Sequence, residues 1–232
     1  MISICALNQK GGSGKTLIVL SMLMVAWSRR ELNAMLIDAD PQRTAHKWSE
    51  ARETKDGTAL PIVIDAIAEG LRDTLQKARD EHFDVVFIDT PGSIDKTMIF
   101  AAAASDCLLI PTRTSKADLD SLAETLETVE NMRQLDKVIV VINAPRAKAK
   151  GTAVDEDAEA VRKLVEERFG CTVAPIVVKD LPEISRALDA GSSVAEENPR
   201  RATAKTLEKL FDFVVKTTEA RLKTHSAKGV AA

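Results

Sequence analysis

Within Asn8-Gln9-Lys10-Gly11-Gly12-Ser13-Gly14-Lys15-Thr16, glycines, lysines and hydroxyls are packed between an apolar run over residues 2–7 and another over residues 17–27. Strand, glycine-rich turn and helix in that order form the context in which backbone N–H groups close around phosphates, with the helix N-terminus adding a favourable dipole. In such a loop Gly11, Gly12, Ser13 and Gly14 supply the cradle, Lys15 reaches the β- and γ-phosphates, and the Thr16 hydroxyl ligates Mg²⁺. The usual spacing has a glycine at position 9. This chain carries Gln9 there, and a second lysine, Lys10, directly before the double glycine.

In open α/β sheets, ligands collect at the carboxyl ends of strands, and three more apolar runs end in groups suited to a phosphate ligand. One closes in Ile37-Asp38-Ala39-Asp40-Pro41-Gln42, one in Ile88-Asp89-Thr90-Pro91-Gly92, and one in Ile142-Asn143-Ala144-Pro145-Arg146. Asp89, at the end of its strand, is placed to hold Mg²⁺ through water, and Gly92 offers a backbone N–H to a γ-phosphate. Alone, residues 89–92 read as a turn that ends a strand. Beside the glycine loop they read as a segment that grips a γ-phosphate and lets go after hydrolysis. Asp38 and Asp40, two apart, point the same way along an extended strand end. Their candidate tasks are to orient the attacking water and to contact the Mg²⁺ shell, and Asp40, further past the strand end, is the one expected to hold the water.

The elements that must position these groups are legible as alternation. Strands are expected over residues 2–7, 34–38, 61–66, 83–89, 106–111, 137–143 and 173–178, with amphipathic helical stretches such as 69–81, 119–133 and 154–169 between them. The strands are apolar throughout rather than alternating, so both sheet faces are expected to be covered. The predicted fold is α/β: one domain over residues 1–222 with a mostly parallel twisted sheet and helices on both faces, then a small polar tail, 223–232, expected to fray. Residues 146–152 are basic and glycine-containing and read as a mobile loop.

Composition narrows the partners. A net charge of −3 gives no global pull toward nucleic acid or membrane, so any such affinity must come from a local patch. With no tyrosine and 3% aromatics, a base-stacking platform for single strands is not expected. Cys5, Cys107 and Cys171 are far apart, odd in number and set in or beside apolar runs; free buried thiols in a reducing compartment are expected, with no metal spacing. Residues 17–27 are too short to span a bilayer and Met1 leads straight into a strand, so a cytoplasmic chain is the expectation.

In this order and spacing, Lys-Gly-Gly-x-Gly-Lys-Thr at 10–16, Asp-x-Asp-Pro-Gln at 38–42 and the Asp-Thr-Pro-Gly strand end at 89–92 resemble the ParA family of deviant Walker ATPases, part of the wider MinD and nitrogenase-iron-protein group of P-loop proteins. The resemblance spans residues 1 to about 222 and implies a P-loop NTPase-like domain that hydrolyses ATP with Mg²⁺. It implies that Lys10 is the signature lysine, reaching across an ATP-sandwich dimer to the partner's phosphates. Physically, a second cation spreads the charge of the transferring phosphoryl group. It also implies that residues from Gly11 to Thr16 bind phosphates, that Thr16 and Asp89 serve Mg²⁺ with Asp38 further out, that Asp40 orients water, and that Asn143 reads the adenine edge. Leu17 departs from the family's second Thr or Ser, whose hydroxyl touches the α-phosphate; that contact is put in question while hydrolysis is expected to survive. Asp118 reads either as a dimer contact or as a plain helix N-cap.

The same resemblance implies a DNA segregation ATPase with weak, partner- and DNA-stimulated turnover: an ATP-dependent homodimer that coats double-stranded DNA without sequence preference on the nucleoid and is released by a centromere-binding or cargo-adaptor protein. The helix-turn-helix domain of long family members is not expected here, nor autorepression through it. For DNA contact, residues 200–232 hold eight Lys or Arg against three Asp or Glu. Leu207, Leu210, Phe211 and Val214 form a helical core stripe there, which leaves Lys205, Lys209, Lys216 and Lys223 on another face interrupted by Asp212. Arg200 and Arg201 at the helix start are stronger candidates, and Arg146, Lys148 and Lys150 could add to the patch. Three rivals stay in view: a MinD-like membrane-associated positioner, against which the tail lacks bulky apolar residues; an iron-protein-like reductase or ATP-dependent ligase, against which the cysteines lie away from the strand-end loops; and the same mechanism carrying a protein assembly or organelle.

Overall fold

The computed structural model describes residues 1–56, 61–66, 68–143, 153–179 and 181–229. Seven strands form one sheet: β1 (Ile2–Ala6), β2 (Ala34–Asp38), β3 (Ile62–Asp65), β4 (Val85–Asp89), β5 (Cys107–Thr112), β6 (Val138–Ile142) and β7 (Thr172–Val173). Their order is β3-β2-β4-β1-β5-β6-β7, and every pairing is parallel. Helices α1 (Lys15–Arg30), α2 (Thr44–Asp56), α3 (Leu71–Asp80), α4 (Lys96–Ala104), α5 (Lys116–Asn131), α6 (Ala153–Lys163), α7 (Leu181–Asp189), α8 (Val194–Glu197) and α9 (Ala202–Gly229) follow the alternation.

Both faces are covered, which is why the strands carry no polar face. Along β1, Ile4 and Ala6 pack into a cluster with α1, α2, α7, α8 and α9, whereas Cys5 packs into a cluster with α3, α4, α5 and α6. The stripe Leu207, Leu210, Phe211 and Val214 of α9 is buried as the periodicity predicts. Cys5, Cys107 and Cys171 are buried and unbridged.

Most boundaries shift by a residue or more from the sequence reading, and a few differences bear on the site and its frame. The seventh strand is not 173–178: it ends after Val173, and a single bridge between Asn143 and Val178 rejoins the ladder. Pro175 explains the break, since it has no N–H for the ladder and stands between those two points. The segment from Lys223, read as a small polar tail, is helical within α9 as far as Gly229, and residues 220–228 hold no proline or glycine to stop the helix. Asp118 is not an N-cap. Ser115 caps α5, and Asp118 is its third residue, reciprocating in a capping box.

One buried charge ties the sheet's flank together. The Arg52 guanidinium lies 5.1 Å from the Trp27 ring centroid and 5.7 Å from that of Trp48, and it forks onto Glu196 at 2.7 and 2.9 Å. Trp48 donates its indole N–H to the Ser192 carbonyl. Helix α2, which follows the Asp38–Gln42 strand end, is thereby pinned to α8.

Candidate nucleotide site

β1 lies between β4 and β5, so the loop after it emerges at the centre of the sheet's carboxyl edge, flanked by the ends of both neighbours. Asn8 Nδ2 donates to the Pro111 carbonyl at 2.9 Å and Asn8 Oδ1 accepts from the Lys10 N–H at 2.8 Å, fastening the loop's first half to β5. The second half turns through Gly14 at φ +95° into α1. A Cβ there would lie 2.4 Å from Asn143 Nδ2, so conformation and space both demand glycine. No side chain caps α1, which leaves its first N–H groups for a ligand.

Gly11, Gly12, Gly14, Lys15, Thr16, Leu17, Asp40 and Gly92 line one cavity of about 1110 Å³. Eight residues expected from the sequence to bind nucleotide or water are thus brought together. The Lys15 ammonium, nearly buried, reaches back to the Asn8 carbonyl at 3.2 Å. Burial pulls its pKa below the usual lysine value, against the attraction of Asp89 and Asp40. Gly92 presses against the loop: a Cβ on it would meet Gly11 N at 3.2 Å and Lys15 Nζ at 3.5 Å. The β4 end is therefore in direct touch with the phosphate cradle.

The remaining expected residues are placed otherwise. Asp38 does not face the cavity; its two oxygens accept from the N–H groups of Asp40, at 3.1 Å, and His46, at 3.0 Å, so it braces the β2–α2 turn. Burial raises its carboxyl, opposed by those two bonds. Asn143 is fully buried and donates to the Ser13 carbonyl at 2.6 Å, which makes it a strut beneath the loop. The Ser13 hydroxyl is buried behind the loop. Lys10 lies outside the cavity, its ammonium 2.5 Å from Asp118 Oδ1. Burial raises the Asp118 carboxyl, but the bonds from Lys10 and Ser115 outweigh it and hold its pKa below the usual range.

Mg²⁺ can be tested against the atoms present. Asp89 is fully buried; its Oδ2 accepts from the Thr16 hydroxyl at 2.5 Å and its Oδ1 has no partner. Burial pushes its carboxyl up to about 7, with the Thr16 bond and Lys15 opposing and Asp38 and Asp40 adding to the rise. An orphaned carboxylate oxygen beside a hydroxyl, at the edge of a phosphate cradle, fits a hard divalent cation. Such a cation needs the carboxylate ionised, so its binding expels the Asp89 proton. Mg²⁺-dependent nucleotide affinity is therefore expected to climb by up to about tenfold per pH unit to about pH 7 and then level off. Titrations with fluorescent ADP at about pH 5.5, 6.5 and 7.5, with Mg²⁺ and with EDTA, read this directly. A Mg²⁺ effect that is flat across that range overturns it.

Unsatisfied atoms concentrate here. Ser13 Oγ, Asp89 Oδ1, Thr114 Oγ1 and Asn143 Oδ1 are four of the seven buried side-chain polar atoms without a partner among the described residues. Such vacancies mark groups awaiting a ligand or strain held at a site. Sequence reasoning missed Arg113, Lys47, Trp48, Pro182 and Asp189, all of which line the cavity. Arg113 had a usable signal, since it directly follows the β5 end. The α2 and α7 residues had none, because only the packing of those helices beside α1 brings them in.

On the helical patch, Arg200, Lys205, Lys209 and Lys216 are exposed and have no ion pair among the described residues. Arg201 is exposed and paired with Glu183, and Arg30 holds the intervening Asp212 at 2.8 Å. Arg146, Lys148 and Lys150 lie outside the described residues.

A central parallel sheet, a glycine loop running into an uncapped helix and a carboxylate on the neighbouring strand define a P-loop nucleotide-binding protein. The CobQ/CobB/MinD/ParA nucleotide binding domain matches residues 4–194, and the chain belongs to that family of P-loop ATPases. It is 26% identical over 239 residues to the chromosome-partitioning ATPase Soj of Thermus thermophilus, a match covering 90% of this chain and 93% of the relative. It is 34% identical over 125 residues to the maintenance of carboxysome distribution protein A of Gloeobacter kilaueensis, covering 53% of this chain and about half, 54%, of that relative. The fold matches MinD in the Aquifex aeolicus MinC:MinD complex with a TM-score of 0.72 at 13% identity, covering 93% of this chain and 96% of the other.

Proposed function

We propose that this chain is an ATP-dependent DNA partition ATPase. ATP pairs two copies over their nucleotides, the pair holds duplex DNA without reading sequence, and a cargo-bound adaptor stimulates hydrolysis and releases it. The placement of Lys10 carries this reading. Lys15 serves the phosphates from within the cavity, while Lys10 is kept just outside it on Asp118. A second lysine so close to the cradle, yet out of its own cavity, suits the site of a second copy.

In the chemistry proposed, Gly11 to Thr16 and Gly92 orient the polyphosphate with backbone N–H groups and Lys15 neutralises it. Asp40, at the cavity wall, holds the attacking water in line. Thr16 and Asp89 hold Mg²⁺, which neutralises charge on the terminal phosphates. Arg200, Lys205, Lys209 and Lys216 supply phosphate contacts to DNA, counted once per copy and doubled in the pair.

Light scattering in ATP and in ADP, for the chain and for Lys10→Ala, tests the pairing, and a gel shift with arbitrary duplex DNA tests the binding. A dimer with ATP alone, lost in Lys10→Ala, and an ATP-dependent shift that weakens with salt are expected. Equal dimerisation of Lys10→Ala, or no shift at low salt with ATP, counts against the reading. The likeness to a carboxysome distribution protein favours a second form of it, in which the same cycle carries a protein assembly over the nucleoid.

A further inference from the structure

The cavity has unequal ends. On α1, α2 and α7 an apolar part of its wall is built by Leu17, Leu20, Trp48, Pro182 and Leu188, with Lys47, Ser185 and Asp189 among them. From the strand ends it is lined by Gly11, Gly12 and Gly92, and Arg113, which directly follows β5, shares that lining. A nucleotide lying in it places its base on the apolar wall, and its terminal phosphate at the glycine end.

Arg113 is fixed in place by its neighbours. Thr112 is the last residue of β5 and buried, Thr114 is buried, and Ser115 caps α5. Two residues before Arg113, the Pro111 carbonyl accepts the bond from Asn8 that fastens the loop. The backbone is thus held on both sides while the Arg113 side chain is exposed and lines the cavity. Among the described residues it has no ion pair and no side-chain hydrogen bond. That separates it from Lys10, held by Asp118, and from Arg52, held by Glu196. A guanidinium is always charged and presents a planar fork that matches phosphate oxygens.

Resting on the nucleotide-binding reading above, we propose that Arg113 is a further nucleotide-binding residue, a cation that engages the terminal phosphate of a nucleoside triphosphate from the β5 side while Gly92 engages it from the β4 side. The strand order supports the pincer, because β4 and β5 are the two neighbours of β1. Arg113 then separates triphosphate from diphosphate, since only the former carries a phosphate beyond those the glycine loop cradles.

Fluorescent (N-methylanthraniloyl) ADP and a non-hydrolysable fluorescent ATP analogue, titrated with Mg²⁺ into the full chain, Arg113→Ala and Arg113→Lys, test this. A charge-assisted bond to phosphate gives an expected loss of about tenfold or more in triphosphate affinity for Arg113→Ala, with ADP affinity changed less than about threefold. Arg113→Lys, which keeps the charge and loses the fork, is expected between the two. Because Arg113 is exposed, an unchanged circular-dichroism melt is expected for both variants. Unchanged triphosphate affinity in Arg113→Ala, or an equal loss for both nucleotides, overturns the assignment. If the unaltered chain binds neither nucleotide, the nucleotide-binding reading fails, and this assignment with it.

Discussion

Lys15→Ala is expected to abolish nucleotide binding, with affinity for fluorescent ADP falling by at least about 100-fold. The ammonium is nearly buried, with its nitrogen on the Asn8 carbonyl and within the field of Asp89 and Asp40. Phosphates entering the cradle would take over the interaction with a group already desolvated and aimed. Without it, Asp40 still lines the cavity, and its charge repels phosphate with no cation beside it to offset the repulsion. The unliganded melting temperature should change little, because among the described residues Lys15 makes one backbone bond and no ion pair. The rise in melting temperature with added nucleotide should vanish, since it depends on binding to the folded state. A variant that keeps that rise would remove Lys15 from the site.

Gly191→Ala is expected to cost about 3 kcal/mol or more, combining backbone strain with overpacking. Gly191 has φ +67°, and a Cβ on it would lie 2.7 Å from Arg52 N, 2.8 Å from Ala51 C and 2.9 Å from Arg52 Cα. These are backbone atoms of α2, so no side chain can swing aside. Relief requires moving α2 away from the loop after α7, which also disturbs the Arg52–Glu196 fork and the Trp48 bond to Ser192. For a chain of this size the melting temperature should fall by about 6–12 °C. A shift under about 2 °C in thermal denaturation would mean that α2 moves freely, against the packing described.

Much of the fold was legible because covered parallel strands are apolar along their length, and the phosphate-loop residues were legible because a short contiguous motif positions them. What escaped depends on contacts distant in sequence. Asn143 ends an apolar strand, and the carbonyl it donates to belongs to Ser13, 130 positions away. Asp38 and Asp40 differ in fate because the backbone turns after β2 and spends both Asp38 oxygens on its own N–H groups. Arg201 looked as available as Arg200 until α7 brought Glu183 beside it. The apolar run over 173–178 hides a break at Pro175, which supplies no N–H to the ladder.

The stack of Trp27, Arg52 and Trp48 has an optical consequence. The chain has two tryptophans and no tyrosine, so its near-ultraviolet emission comes from these two indoles on one guanidinium. Trp48 also forms part of the cavity wall. The unlabelled protein therefore carries its own reporter where the cavity, α2 and α8 meet, and no dye is needed to follow a change in that wall in real time.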